Sequence, residues 1–361
     1  MSEPLRAPFP WFGGKSRAAG LIWERLGDVP NYVEPFAGSL AVLLLRPHEA
    51  RIETVNDLDC YLANFWRATQ PAPEEVARHA DWPVNEADLH ARHRWLVAQA
   101  DFRQKMRSDP DFYDTRVAGW WVWGISQWIG SGWCVNPEWE GRANPGNGLR
   151  GLHGKRVRDH SKDVGYAKRP TLKRGGVGVH RTTLDEVTTW QQKPDLSGSR
   201  GAAGRGTHAS GKRSGDGLRA WVGALSQRLR YVRVCCGDWK RVLSPNATVG
   251  IGETAVLLDP PYLHEAGRDP GLYAEESADV AHQVREWALA NGNNPKLRIA
   301  LCGYEGEHSM PPEWECVAWK ASGGYAAARG NKENSLRERV WFSPHCLKAV
   351  QQDLFSMRAA P

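Results

Sequence analysis

The chain has 361 residues, a formal net charge of +6, 41% hydrophobic residues and seven cysteines. That is enough for one large α/β domain with a second module. The longest apolar stretches, such as Ala41 to Leu45, fall far short of the ~20 residues a spanning helix needs, and MSEPLRAPFP lacks a signal-peptide pattern, so no membrane association is expected. An odd cysteine count without a C-x-x-C pair excludes a disulfide framework or a structural zinc site and points to a reducing cytoplasm.

In chain order, FPWFGGKSR reads as a glycine-paired loop able to fold over a ligand, with Lys15 offering charge and Trp11 apolar cover. Leu21 to Leu26 predicts a short helix, Asn31 to Glu34 a strand end, Ser39 to Leu45 a helix and Ile52 to Val55 a second strand. Glu34, Phe36 and Gly38 therefore fall at a strand-to-helix turn. In an open α/β sheet, ligands bind outside the carboxyl ends of strands, where a small residue permits close backbone approach. Gly38 could equally serve only as a turn. Asp57, about 20 residues on, sits where an acid accepts from the hydroxyls of a nucleoside, with a helix N-cap as the competing reading.

Residues 67–230 differ in kind. They are first helical and rich in tryptophan, with six of the 18 tryptophans between Trp120 and Trp139, and then basic and rich in glycine. From Arg142 to Arg219 there are 17 Lys+Arg against six Asp+Glu, so the rest of the chain is net acidic. The stretch at about 141–219 predicts a flexible loop with the electrostatic footprint of a polyanion partner. Arg150, Lys155, Arg156, Arg158, Lys173 and Arg174 are candidates to neutralise phosphates. Most of the tryptophans read as core, with Trp133 and Trp139 the candidates to stack on or wedge into DNA.

The α/β pattern returns with YVRVCC, then AVLLDPPY, a helix from Ala278 to Ala290, RIALCGY, and an antiparallel pair around WECVAWK and RERVWFSP. The simplest topology is one sheet interrupted by an insert. AVLL reads as a strand buried on both faces, although a buried helical turn shares its periodicity. Pro260 and Pro261 then end the ladder and remove two backbone donors, so Asp259-Pro260-Pro261 is a stiff corner of acceptors. Such a corner suits an exocyclic amine, and Tyr262 offers a flat face for an unstacked base. A plain tight turn is the alternative.

Taken jointly, PWFGGKSR, VEPFAGSLAVL, VNDLD, CGDW and LLDPPY resemble, in order and spacing, the Dam-like (D12 class, alpha group) DNA adenine-N6 methyltransferases. The resemblance covers residues 1–66 and 231–361. It implies a Rossmann-like S-adenosylmethionine-dependent methyltransferase sheet as catalytic domain, with residues 67–230 as an inserted, largely helical and loop-rich DNA-recognition module. It further implies that Trp11, Lys15, Asp57 and Asp259 line the S-adenosylmethionine site, that Glu34, Phe36 and Gly38 lie under its methionine moiety, and that Asp238 or Trp239 lies near its adenine. Asp259 to Tyr262 would hold the target adenine, with Asp259, Pro260, Pro261 and Tyr262 as the catalytic set. The implied partner is double-stranded DNA, with a cognate restriction nuclease left open, a monomer expected and no metal required. Leu40 stands where the family usually has glycine, and the 67–230 segment is not a close match. Two other readings stay open: a cytosine-N4 methyltransferase, and a catalytically silent DNA-binding relative.

Overall fold

The computed structural model describes residues 4–9, 11, 13–128, 133–134, 215–262, 279–320 and 336–348. Its frame is a seven-stranded sheet. The strands are β1 (Asn31–Glu34), β2 (Ile52–Asp57), β3 (Arg233–Cys236), β4 (Thr254–Leu258), β5 (Leu297–Tyr304), β6 (Glu315–Ala318) and β7 (Glu338–Phe342), in the spatial order β3-β2-β1-β4-β5-β7-β6. Neighbours from β3 through β5 pair in parallel, and β7 runs antiparallel to both β5 and β6. The antiparallel pair expected at the end of the chain is therefore β6 and β7.

Every residue of β1 and β4 is buried, as expected for central parallel strands covered on both faces. AVLL is thus a strand. Its side chains alternate between two cores: Ala255 and Leu257 join one cluster, Val256 and Leu258 the other. Helix α1 (Ala19–Leu26), the short α2 (Ala41–Leu44) and α3 (Cys60–Thr69) contribute to the first core. Helices α4 (Pro73–Ala80), α5 (Glu86–Val97), α6 (Phe102–Ser108), α7 (Thr115–Ile125) and α8 (Gly215–Leu229) extend the same cluster, so the described helices of the 67–230 segment share one core with the sheet. On the opposite face α9 (Val280–Asn291) buries Val284 and Ala288 against Ile299, Leu301 and Trp314.

Three expectations are corrected at element boundaries. Helix α2 begins at Ala41, not Ser39, because Leu40 adopts φ +53 and caps it from the left-handed region. Strand β3 begins at Arg233, and Tyr231 is exposed. The basic stretch assigned to a loop through 219 gives way to helix at Gly215, because Leu218, Val222, Leu225 and Leu229 form one buried stripe.

Helix α8 is clasped to the first strands. Arg228 donates to both carboxylate oxygens of buried Glu53 on β2 (2.7 and 2.9 Å) and to the Leu43 carbonyl (3.0 Å), while Arg46 reaches Glu53 at 3.2 Å. Burying a carboxylate is costly unless it is paired, and two guanidinium groups meet that condition here. The clasp brings the chain back to β3 beside β2.

Candidate active site

After β1 the chain runs to β2 and β3 on one side, whereas β4 and β5 lie on the other. The carboxyl ends of β1 and β4 therefore diverge, which opens a crevice at the topological switch point. A cavity of about 270 Å³ occupies it. Trp11, Lys15, Glu34, Phe36 and Gly38 line it, and so do Asp57, Asp238 and Asp259. These are the eight residues singled out for the cofactor, drawn from the N-terminal loop and the ends of β1, β2, β3 and β4.

Lys15 anchors the cavity. It is 3% exposed and donates to the Gly13 carbonyl (2.8 Å) and to Asp259 Oδ1 (2.8 Å). Its Nζ also lies over the rings of Tyr262 (5.1 Å) and Trp319 (5.7 Å). Burial alone would lower its pKa, but Asp259 and Glu338 more than offset that and raise it, so the ammonium form is held.

The turn after β1 is shaped by two residues in the left-handed region. Gly38 has φ +47, and a Cβ there would sit 2.6 Å from Trp11 Nε1, so glycine is what allows Trp11 to close over the loop. The Gly38 N–H donates to Asp57 Oδ2 at 3.0 Å, while its carbonyl accepts from Trp66 Nε1. Asp57 Oδ1 accepts from the Asp59 N–H at 2.9 Å. The helix cap is Asp59, whose side chain accepts from Tyr61 and Leu62 N–H, so the capping role falls to Asp59 and not to Asp57. Burial, then the neighbouring Asp59, pushes the Asp57 carboxyl up to about 7, and its backbone donors only partly counter this.

Glu34 receives the Tyr32 hydroxyl at 3.1 Å, and burial, with Asp259 and Glu53 behind it, pushes its carboxyl well above the usual range. Asp238 caps the turn at Trp239–Val242, and the Trp239 ring lies 6.0 Å from Phe36, forming an aromatic wall. Five acids against one lysine make the cavity suited to a ligand that carries positive charge and donates hydrogen bonds.

At the proline corner Asp259 is 20% exposed, and Pro261 also lines the cavity. Tyr262 turns into the core instead. It is buried, its hydroxyl donates to Glu338 Oε2 (2.9 Å), and its ring meets Tyr304 edge-on at 4.7 Å. Pro260 is buried behind the corner. Sequence reasoning missed Glu338, and it missed Asn56, whose amide ties the carbonyls of Pro35 and Gly237 and so locks the turns after β1 and β3 together. Asn56 lay in plain view within VNDLD, whereas nothing local marks Glu338.

Trp133 is a correction. Its indole is buried against α7, donates to the Trp121 carbonyl (3.1 Å) and packs on Trp128 and His93. Gly124 leaves the space: a Cβ there would meet the ring at 1.9 Å. Apolar burial claims this tryptophan, and it presents no face to DNA. Trp139, Arg150, Lys155, Arg156, Arg158, Lys173 and Arg174 lie outside the described residues, as does most of the basic stretch. Among the described residues no acid, histidine and cysteine cluster could hold a metal, and no helix is long and apolar enough to cross a membrane.

Residues 11–115 match the family model of D12 class N6 adenine-specific DNA methyltransferases. The match runs from Trp11 through β1 and β2 to the start of α7, and it includes Lys15, Glu34, Phe36, Gly38 and Asp57. It implies an adenine-specific DNA methyltransferase, with DNA as substrate. The seven-stranded, mostly parallel sheet is compatible with a methyltransferase fold. A search of curated proteins finds no match to the chain.

Proposed function

We propose that this methyltransferase transfers the methyl group of S-adenosylmethionine to the N6 amino group of an adenine flipped out of duplex DNA. The observation that carries the reading is that Asp57 and Asp259 open onto one cavity, together with Lys15 and the Gly38 turn. The donor set fits the cofactor. Asp57 supplies an acceptor for ribose hydroxyls, Asp238 and Trp239 stand where the adenine would lie, Phe36 and Gly38 stand under the methionine moiety, and the acidic lining suits a sulfonium and an ammonium group. When bound, the cofactor brings an electrophilic methyl group, so the protein's task is to position the acceptor and to manage charge.

Asp259 performs that task. Lys15 holds Oδ1, leaving Oδ2 to accept from the adenine amino group alongside the Pro260 carbonyl. Two acceptors on one amine draw its nitrogen lone pair out of conjugation with the ring and aim it at the cavity. Tyr262 is buried next to Lys15 and outside the cavity lining, so it becomes the ring on which the extruded base lies only once that ring is uncovered. The basic stretch of the insert contacts phosphates, and DNA binding therefore weakens steeply with salt.

The test is transfer of labelled methyl from S-adenosylmethionine to duplex DNA by the wild-type chain and by D259N, with the modified base identified. Label on N6 of adenine, lost in a folded D259N, is the expected result. Full transfer by D259N would overturn the mechanism, and label on cytosine N4 would move the assignment to that amine.

A further inference from the structure

Glu338 is the first residue of β7 and pairs with Tyr304, the last of β5. Because β7 runs against the parallel strands, its beginning lies at the edge where their carboxyl ends form the site. There Glu338 is 5% exposed, and its carboxylate accepts the Tyr262 hydroxyl at 2.9 Å. A buried carboxylate is costly to desolvate, and a Leu–Phe pair would fill the same space without that cost. What the acid adds is direction. Pro260 and Pro261 stiffen the backbone that enters Tyr262, and Tyr304 packs edge-on against the ring at an interplanar angle of 72°. The remaining freedom is the swing of the ring about its first side-chain torsion, and a hydrogen bond at the far end of the phenol removes it.

Resting on the functional reading above, we propose that Glu338 is a positioning residue for methyl transfer. Its carboxylate tethers the Tyr262 hydroxyl and so fixes where the ring on which the target base stacks is held. The base amine has to approach the methyl group in line, and misplacement by about 1 Å can cost on the order of 100-fold in rate. Glu338 touches neither base nor cofactor in this scheme and acts only through Tyr262. Its proximity to Lys15 offers a second route of influence, through charge, which the conservative variant separates: glutamine keeps a carbonyl acceptor for the phenol and removes the charge.

The experiment compares single-turnover methyl transfer by the full-length wild type, E338A, E338Q, Y262F and E338A/Y262F, with cofactor affinity and urea unfolding measured for each. E338A is expected to lose on the order of 10- to 100-fold in rate at unchanged cofactor affinity. E338Q should recover most of it, Y262F should match E338A, and the double variant should be no slower than either single one. A wild-type rate for E338A, an E338Q as slow as E338A, additive losses in the double variant, or a rate loss that follows unfolding would each overturn the inference. If the wild type transfers label and the variants break this pattern, only the role of Glu338 falls. If the wild type transfers none, the functional reading fails and the inference falls with it.

Discussion

Lys15 and Asp259 form a 2.8 Å ion pair that joins the N-terminal loop to the corner after β4. Lys15 is buried and Asp259 mostly so, and removing one partner leaves the other charged inside the cavity wall. K15M and D259N should each be destabilising, and the double variant should cost less than the sum, with a coupling of about 1–3 kcal/mol. Urea unfolding of the four proteins measures it, and strict additivity would show that the pair contributes nothing.

Asp57 makes the site sensitive to pH near neutrality. Its folded pKa of about 7 lies above an unfolded value near ~4. The stability linked to its bound proton is therefore fully present below ~4 and is lost as pH rises through about 7. Between pH 5 and 8 the wild type should lose unfolding free energy relative to D57N. Over the same window affinity for a cationic cofactor should rise in the wild type, because the ligand favours the carboxylate, and D57N should remove that rise. Calorimetric titration at several pH values follows the second effect.

Gly38 tests how the loop closes. In G38A the new methyl group collides with Trp11 and the residue is held at φ +47, which together should weaken cofactor binding. Adding W11A removes the collision but leaves the backbone strain, so the double variant should bind more tightly than the sum of the single losses predicts. Fluorescence titration distinguishes the cases.

Leu40 should invert a familiar order. A leucine at φ +53 carries strain of roughly 1–2 kcal/mol, and its side chain is fully buried. Truncation to alanine costs about 2–5 kcal/mol in packing and keeps the strain, whereas glycine loses the same packing and relieves it. L40G should therefore be at least as stable as L40A in urea, the reverse of what a helix interior shows.

Trp133 should behave as a core residue. W133A is expected to cost about 3–5 kcal/mol of stability, while the salt dependence of DNA binding by the folded fraction stays unchanged. A shallower salt slope at unchanged stability would return it to the DNA surface.

The central sheet was legible because a strand covered on both faces favours an unbroken apolar run, and AVLL supplies one, whereas NYVE reaches the same burial with Asn31 and Glu34 at its ends. The acids and glycine of the cavity were legible too, since they stand at strand ends or in the turns after them, where the fold places ligands. Glu34 and Asp57 close β1 and β2, Asp259 and Asp238 follow β4 and β3 by one and two residues, and Gly38 lies four past β1. Leu40 hid the start of α2, because leucine rarely takes a left-handed backbone and nothing local warns of it. Trp133 was misread because a glycine-rich aromatic stretch looks alike whether the ring meets DNA or fills the gap over Gly124.

By itself the sequence determined the chemical vocabulary: which strands form, where the chain must turn, and which acids, amine and aromatic rings stand at those turns, because each depends on a residue and its near neighbours. Only the tertiary structure decided who meets whom. That Lys15 is spent on Asp259, that Tyr262 is tied to Glu338 and that Asp57 titrates near neutrality all follow from burial and from partners distant in the chain. Desolvation and pairing are properties of the packed neighbourhood, and no stretch of sequence carries them alone.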